Sequence, residues 1–352
     1  MAVPERFQFA SDNTAPISPP AWEALVEANA AAEISYGEDK WSRRLASQVR
    51  DVFGTDCEVF LTFNGTAANA LALAQLCRSF HGVVCHEYAH SQTDECGAPE
   101  FFSGGAKLIP TRGANGKLDL ENVEAALLRH RDVHSPKPRV LSLTQATEFG
   151  TVYGREEIER IGEFARAHSL LVHMDGARFA NAVAALNCEP KSITWQAGVD
   201  VLCFGGTKNG TPAGELVVFF KKDLAREFDY RAKQGGQLAS KTRFLAAPWV
   251  GLLSNHAWIE NARHANNCAQ LLARNLASVL GAEPVFPCEA NAVFMRMDEQ
   301  FVARLHERGW RFYKFVEPDI YRLMCAWSTT EREIDDFIVD IRNSLATKGK
   351  GA

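Results

Sequence analysis

Short apolar runs rich in β-branched residues recur along this chain, most of them followed by a helix-like stretch, and that alternation limits its folds more than any other feature. The candidate strands are Glu58–Phe63, Val83–Cys85, Lys107–Pro110, Arg139–Leu143, Leu170–Met174, Val201–Phe204 and Glu215–Phe220. Helix-like segments lie between them at Thr66–Arg78, Asp119–His130, Glu156–His168 and Lys191–Ala197. Such alternation predicts an α/β fold with a mostly parallel sheet covered on both faces. Ligands of these sheets sit at the carboxyl ends of the strands.

After about Ala246 the pattern changes. A long amphipathic segment, Pro248–Leu280, is followed by short strands at Pro284–Phe286, Ala292–Met297 and Tyr321–Cys325, and by helices at Glu299–Arg308 and Thr330–Ala346. We expect a large domain over residues 1–246, including an N-terminal arm, and a smaller α+β domain over 247–352 with a disordered KGKGA tail. A chain of 352 residues is long enough for both cores.

Two of the strand exits carry complementary chemistry. LLVHMDGAR ends on Asp175, and VLCFGGTKNG runs into Lys208. A carboxylate that keeps a pyridine nitrogen protonated and an amine that forms a Schiff base are what an enzyme needs to hold pyridoxal phosphate (PLP). Taken singly, Asp175 could cap the helix that follows it and Lys208 could be a solvated loop residue. Arg178 lies one turn beyond Asp175 and can face the same ligand. FNGTAANALALAQL joins a strand to a helix through Asn64, Gly65 and Thr66, a helix start suited to phosphate. Arg322, in the apolar stretch IYRLM, suits a bidentate grip on a carboxylate, or equally an interdomain salt bridge.

Other classes fit less well. HEYAH (His86–His90) matches a zinc-peptidase pattern, but that pattern needs a helix and here an apparent strand precedes it. No metal is expected, and a zinc hydrolase is the remote alternative. His90 is better used as an imidazole stacked over a flat ring. The net charge of −5 argues against nucleic acid, and no apolar run reaches membrane-spanning length. Nine scattered cysteines without CxxC pairs, and an N-terminus without a signal pattern, predict a reducing, cytoplasmic setting.

In order and spacing the motifs SDN (Ser11–Asn13), YGED (Tyr36–Asp39), NGTAAN, EYAH with the later ECG, GTV, HMDGAR, GTKNG and YRL resemble the low-specificity L-threonine aldolases. That family belongs to the aspartate aminotransferase-like fold type I group of PLP-dependent transferase-like enzymes. The resemblance implies cleavage of L-threonine, L-allo-threonine and phenylserine-like substrates to glycine and an aldehyde. It implies Lys208 as the Schiff-base lysine, Asp175 on the ring nitrogen, His90 over the ring, and Gly65, Thr66 and Thr207 among the cofactor contacts. Ser11, Arg178 and Arg322 would hold the substrate carboxylate, with His134 near the β-hydroxyl. The family's tetramers share sites across a dimer interface, so Tyr36, Arg231 or Lys233 would serve a neighbouring subunit. Another fold type I activity, a β-eliminating lyase or an aminotransferase, would use the same cofactor residues. Three stretches depart from the pattern: the flanks Thr207 and Asn209 of Lys208, RAKQGGQLASK without its usual arginine, and TQATEFG (Thr144–Gly150).

Overall fold

The computed structural model describes residues 4–346. Ten strands run in chain order: β1 (Glu58–Thr62), β2 (His81–His86), β3 (Lys107–Thr111), β4 (Lys137–Thr144), β5 (Leu171–Gly176), β6 (Val201–Phe204), β7 (Glu215–Phe219), β8 (Ala292–Arg296), β9 (Tyr313–Val316) and β10 (Ile320–Met324). Among the described residues the helices are α1 (Pro19–Ala28), α2 (Lys40–Phe53), α3 (Gly65–Leu76), α4 (His90–Thr93), α5 (Ala98–Ser103), α6 (Leu120–Arg129), α7 (Arg155–Ala167), α8 (Phe179–Leu186), α9 (Phe228–Gln234), α10 (Arg243–Leu253), α11 (Ala257–Leu280), α12 (Glu299–Glu307) and α13 (Glu331–Ala346). The expected strand–helix alternation is present. The segment Lys191–Ala197 forms 3-10 turns rather than an α-helix.

Strands β1 to β7 form one sheet in the order β1-β7-β6-β5-β4-β2-β3. Strands β2 to β6 run parallel, and β7 pairs antiparallel with both β1 and β6. Alternation along each strand sends side chains to two cores. Val172 and Met174 of β5 join the core beneath α2, α7, α8 and α10, while the other face packs on α3 and α9. Helix α3 is apolar almost all round and buried along nearly its whole length, which leaves Asn69 as a polar exception inside it. That exception matters for the site.

A second sheet, β8-β10-β9, is antiparallel and lies with α11, α12 and α13 around its own core. In β10, Tyr321 and Leu323 face this core, whereas Ile320 and Met324 face a cluster with Phe149 of the large part. Arg322 shares their parity, so the period of two aims it toward the large part.

The amphipathic run Pro248–Leu280 is not one helix. Asn255 and His256 adopt left-handed backbone angles (φ 52° and 58°) and break it between α10 and α11. Helix α10 packs wholly into the large core, and the change of core falls within α11, between Ala262 and Cys268. The division expected at residues 246 and 247 therefore lies inside a helix of the large core. Phe9 of the N-terminal arm is buried in the small core, so the arm joins both parts. The expected strand Pro284–Phe286 is not regular structure, and the hairpin partner of β10 is β9 instead. The KGKGA tail lies outside the described residues. Among those residues no helix is long and apolar enough to cross a membrane.

Candidate active site

A cavity of about 280 Å³ opens at the carboxyl ends of the central strands. Asp175 and Lys208 both line it, together with Gly65, Thr66, His90, Thr207 and Glu215. Lys208 sits in a 3-10 turn (Thr207–Asn209) just past β6. Two glycines let the chain enter that turn. A Cβ on Gly205 would lie 2.4 Å from the Ala177 carbonyl, and one on Gly206 would lie 2.4 Å from the Trp249 ring. The turn is then tied down, because Asn209 Nδ2 donates to the Trp258 carbonyl and Asn261 Nδ2 to the Asn209 carbonyl, each at 2.9 Å.

Asp175 is buried at the end of β5. Its Oδ1 accepts from the Ala177 amide at 3.0 Å and its Oδ2 from Asn69 Nδ2 at 2.9 Å. The same Asn69 amide donates to Glu95 Oε1 at 2.8 Å, and that oxygen shares a 2.9 Å hydrogen bond with His90 Nδ1. A continuous chain therefore runs from the carboxylate at the sheet to the imidazole at the start of α4. The Glu95 hydrogen bond raises the His90 pKa despite burial, while burial raises that of Glu95. Since Oε1 already accepts from an amide, the shared proton belongs on His90 Nδ1, which leaves Nε2 for a ligand.

The helix start behaves as the sequence suggests. Asn64 caps α3 by accepting from the Ala67 amide at 2.9 Å, so the amides of Gly65 and Thr66 have no partner within the helix. No atom lies within 4 Å of where a Gly65 Cβ would be. The result is open space beside a positive helix end, the setting for an anion. On the opposite side Glu215 is buried at the start of β7 and accepts from the Gly206 amide. Burial raises its pKa, against the pull of Thr207, Gly206 and Lys208.

Two arginines, Arg178 and Arg322, lie outside the lining of this cavity. Arg178 is buried and forked onto Asp12, with Nε to Oδ2 at 2.7 Å and Nη2 to Oδ1 at 3.0 Å. Burial works against the Asp12 carboxylate, yet Arg178 and Lys208 hold its pKa down at about 2. Arg322 lies over the Phe315 ring at 4.6 Å, and its buried Nε has no hydrogen-bond partner. Burial, then the nearby Arg178, lowers its pKa. A half-buried guanidinium whose Nε is buried and unpartnered suits an anion.

The chain as a whole has counterparts among known proteins. The beta-eliminating lyase family model matches residues 8–300. A low specificity L-threonine aldolase of a Pseudomonas species is 53% identical over 335 residues, covering 95% of this chain and 97% of that protein. The chain belongs to this aldolase family. The Pseudomonas aeruginosa protein of the same name is 54% identical over the same share. The solved Leishmania major threonine aldolase superposes with a TM-score of 0.90 at 26% identity, over 95% of this chain and 98% of that one.

Of the residues that the family resemblance singled out, Lys208, Asp175, His90, Gly65, Thr66 and Thr207 are brought to one cavity. Ser11 lies in the arm next to Asp12, with its Oγ accepting from the Asn13 amide at 3.2 Å. Tyr36 does not reach this cavity. It is exposed beside a second surface pocket with Tyr230 and Lys233, whose Nζ lies 4.8 Å from its ring. Arg231 bonds to Gln75 at 2.9 Å, away from the cavity.

His134 is a correction. It is exposed in the loop before β4, at the amino end of a strand whose carboxyl end carries the site. The eight residues of β4 put it on the order of 25 Å away. HEYAH is likewise not helical throughout. His86 ends β2 and shares a hydrogen bond with the Gly113 carbonyl at 3.0 Å, while His90 opens α4, so the two do not share a helix face as a zinc pair must.

Asp12, Asn69, Glu95 and Glu215 were not singled out by sequence. Each is a polar residue in an apolar or motif-rich setting, and Asn69 inside an alanine helix and Glu215 ahead of LVVF were the detectable signals. A polar residue at a core-facing position needs a partner, and that expectation could have flagged both.

Proposed function

We propose that this chain cleaves β-hydroxy-α-amino acids, with L-threonine, L-allo-threonine and phenylserine-like compounds as substrates, to glycine and an aldehyde. The observation that carries the reading is the convergence of Lys208 and Asp175 on one cavity at the strand exits. The residues fit pyridoxal phosphate. Asp175 offers a buried carboxylate for the ring nitrogen, the start of α3 offers free amides for the phosphate, and Lys208 Nζ offers the amine for the aldehyde. When bound, PLP supplies a carbonyl that captures amino groups and a protonated ring that accepts the electron pair of the breaking Cα–Cβ bond.

The chain's own residues do the rest. Arg322, with the Nη1 of Arg178 and the Ser11 hydroxyl, receives the substrate carboxylate and orients Cα. His90 Nε2, directly or through a water, accepts the β-hydroxyl proton as the Cα–Cβ bond opens and the aldehyde departs. A proton delivered to Cα then completes glycine. With His134 remote, His90 is the imidazole left for this task.

Two expected outcomes follow from these roles. Arg322→Ala should raise KM for L-threonine by about 10- to 100-fold with a smaller change in kcat, the range of a lost charge-assisted pair. Glu95→Gln should shift the pH profile. Glu95 raises the His90 pKa, and a base must be neutral, so activity rises with pH through that value. Removing the carboxylate lowers it, and the acid limb of kcat/KM should move to lower pH. An unmoved limb would separate Glu95 from the base.

The setting proposed is cytoplasmic, with a homotetramer built from dimers that share sites. Exposed Tyr36 and Tyr230 near Lys233, and Phe63 at the cavity wall, support a covered face there; sedimentation tests the assembly. The deciding experiment is product analysis with L-threonine and phenylserine. Glycine and the aldehyde are expected, whereas a keto acid or ammonia would indicate an aminotransferase or a β-eliminating lyase.

A further inference from the structure

We infer that Asp12 sets the charge class of the substrate: by taking up the fork of Arg178 it leaves Arg322 as the one unpaired guanidinium of the site, which suits a substrate with a single carboxylate. This rests on the amino-acid reading above and deepens it.

Asp12 and Arg178 form a closed pair. Both Asp12 oxygens are engaged, Oδ1 by Nη2 and Oδ2 by Nε, and Oδ2 also accepts from Asn291 Nδ2 at 3.1 Å. The side chains are 0% and 7% exposed, so water does not compete for these bonds. The pair therefore adds no net charge, and Arg178 keeps for a ligand only the N–H groups that Asp12 does not use, those of Nη1 and the second one of Nη2. Asn291 fastens this unit to the small part, because its Nδ2 also donates to the Cys325 carbonyl at 2.8 Å and its own carbonyl accepts from the Cys325 amide at 2.9 Å. Cys325 directly follows β10, the strand that carries Arg322. The paired and the unpaired arginine are thus fixed relative to each other by one short network.

Arg322 differs at each point. It makes no ion pair among the described residues, and its Nε is buried without a partner. Glu148, Asp12 and Asp94 act on it electrostatically without an ion-pair contact. One monoanion balances this arginine. A second carboxylate on the substrate would meet Arg178 already neutralised, with Glu148 and Asp94 adding repulsion.

Asp12 is thus a positioning residue that acts through Arg178. The test compares one-charge and two-charge ligands. The wild-type holoenzyme should bind succinate no more tightly than butyrate, measured by calorimetry without turnover. Succinate binding tenfold tighter than butyrate would overturn the inference, and this arm needs no variant to fold. Asp12→Asn keeps the shape and removes the charge. It should raise the ratio of kcat/KM for β-hydroxyaspartate, which would split into glycine and glyoxylate, to that for L-threonine by about tenfold or more. It should also tighten succinate over butyrate by a similar factor. The double variant Asp12→Asn with Arg178→Gln should return both ratios toward wild type. A folded Asp12→Asn protein with unchanged ratios and only a lower Tm would make Asp12 purely structural and refute the proposal. Failure of wild-type enzyme to release glycine from L-threonine would instead refute the aldolase reading, and the calorimetric comparison would still stand on its own.

Discussion

Lys208→Ala should abolish turnover of L-threonine, with a fall of about 10³-fold or more, as expected when a covalent nucleophile is removed. It should also remove the visible absorption and the borohydride-fixed label that PLP would leave on this lysine. The fold should survive, because the turn around Lys208 is held by Asn209, Asn261 and the packing of Gly205 and Gly206, none of which involves the amine. Visible absorption and full activity in a folded Lys208→Ala protein would move the covalent site elsewhere.

The second large effect concerns Asp175. Asp175→Ala should lower kcat by about 10²- to 10³-fold, the range for removing a preorganised electrostatic partner. It should also weaken PLP retention, measured by titrating the cofactor back into the apo protein. Two further consequences come from its neighbours. Asn69 Nδ2 would lose one of its two acceptors, and Glu95 would lose a negative neighbour that helps to raise its pKa. The damage should therefore reach His90 through a network of buried groups. Normal kinetics and normal cofactor affinity would remove Asp175 from the reaction.

The two largest effects fall on residues that local sequence could find, and the reason is geometric. Asp175 and Lys208 stand at the ends of continuous apolar strands, and strands of a parallel sheet deliver their carboxyl ends to one edge. Gly65 and Thr66 were legible for a similar reason, since a strand, a cap and a helix follow one another within a few residues. His134, placed near the substrate by the family resemblance alone, lies elsewhere because a likeness of motifs in order does not fix which end of a strand a neighbouring loop occupies. The loop before β4 and the turn after it belong to the same short stretch of sequence, yet they lie at opposite edges of the sheet.

The N-terminal arm was harder still. Asp12 and Arg178 are separated by 166 residues in sequence and are joined by a pair of hydrogen bonds. Nothing local distinguishes that carboxylate from any other. The same holds for Glu95, which reaches Asp175 only through Asn69, and Asp175 lies 106 residues beyond Asn69.

By itself the sequence determined the layered sheet, the edge on which a ligand sits, and the amine and carboxylate that meet there, because strand period, glycine turns and helix caps are local properties. Only the tertiary structure decided which arginine is already neutralised, which imidazole is oriented and which is remote. Those outcomes depend on buried charges finding partners across the chain, and a buried charge is governed by what packs against it rather than by its neighbours in sequence.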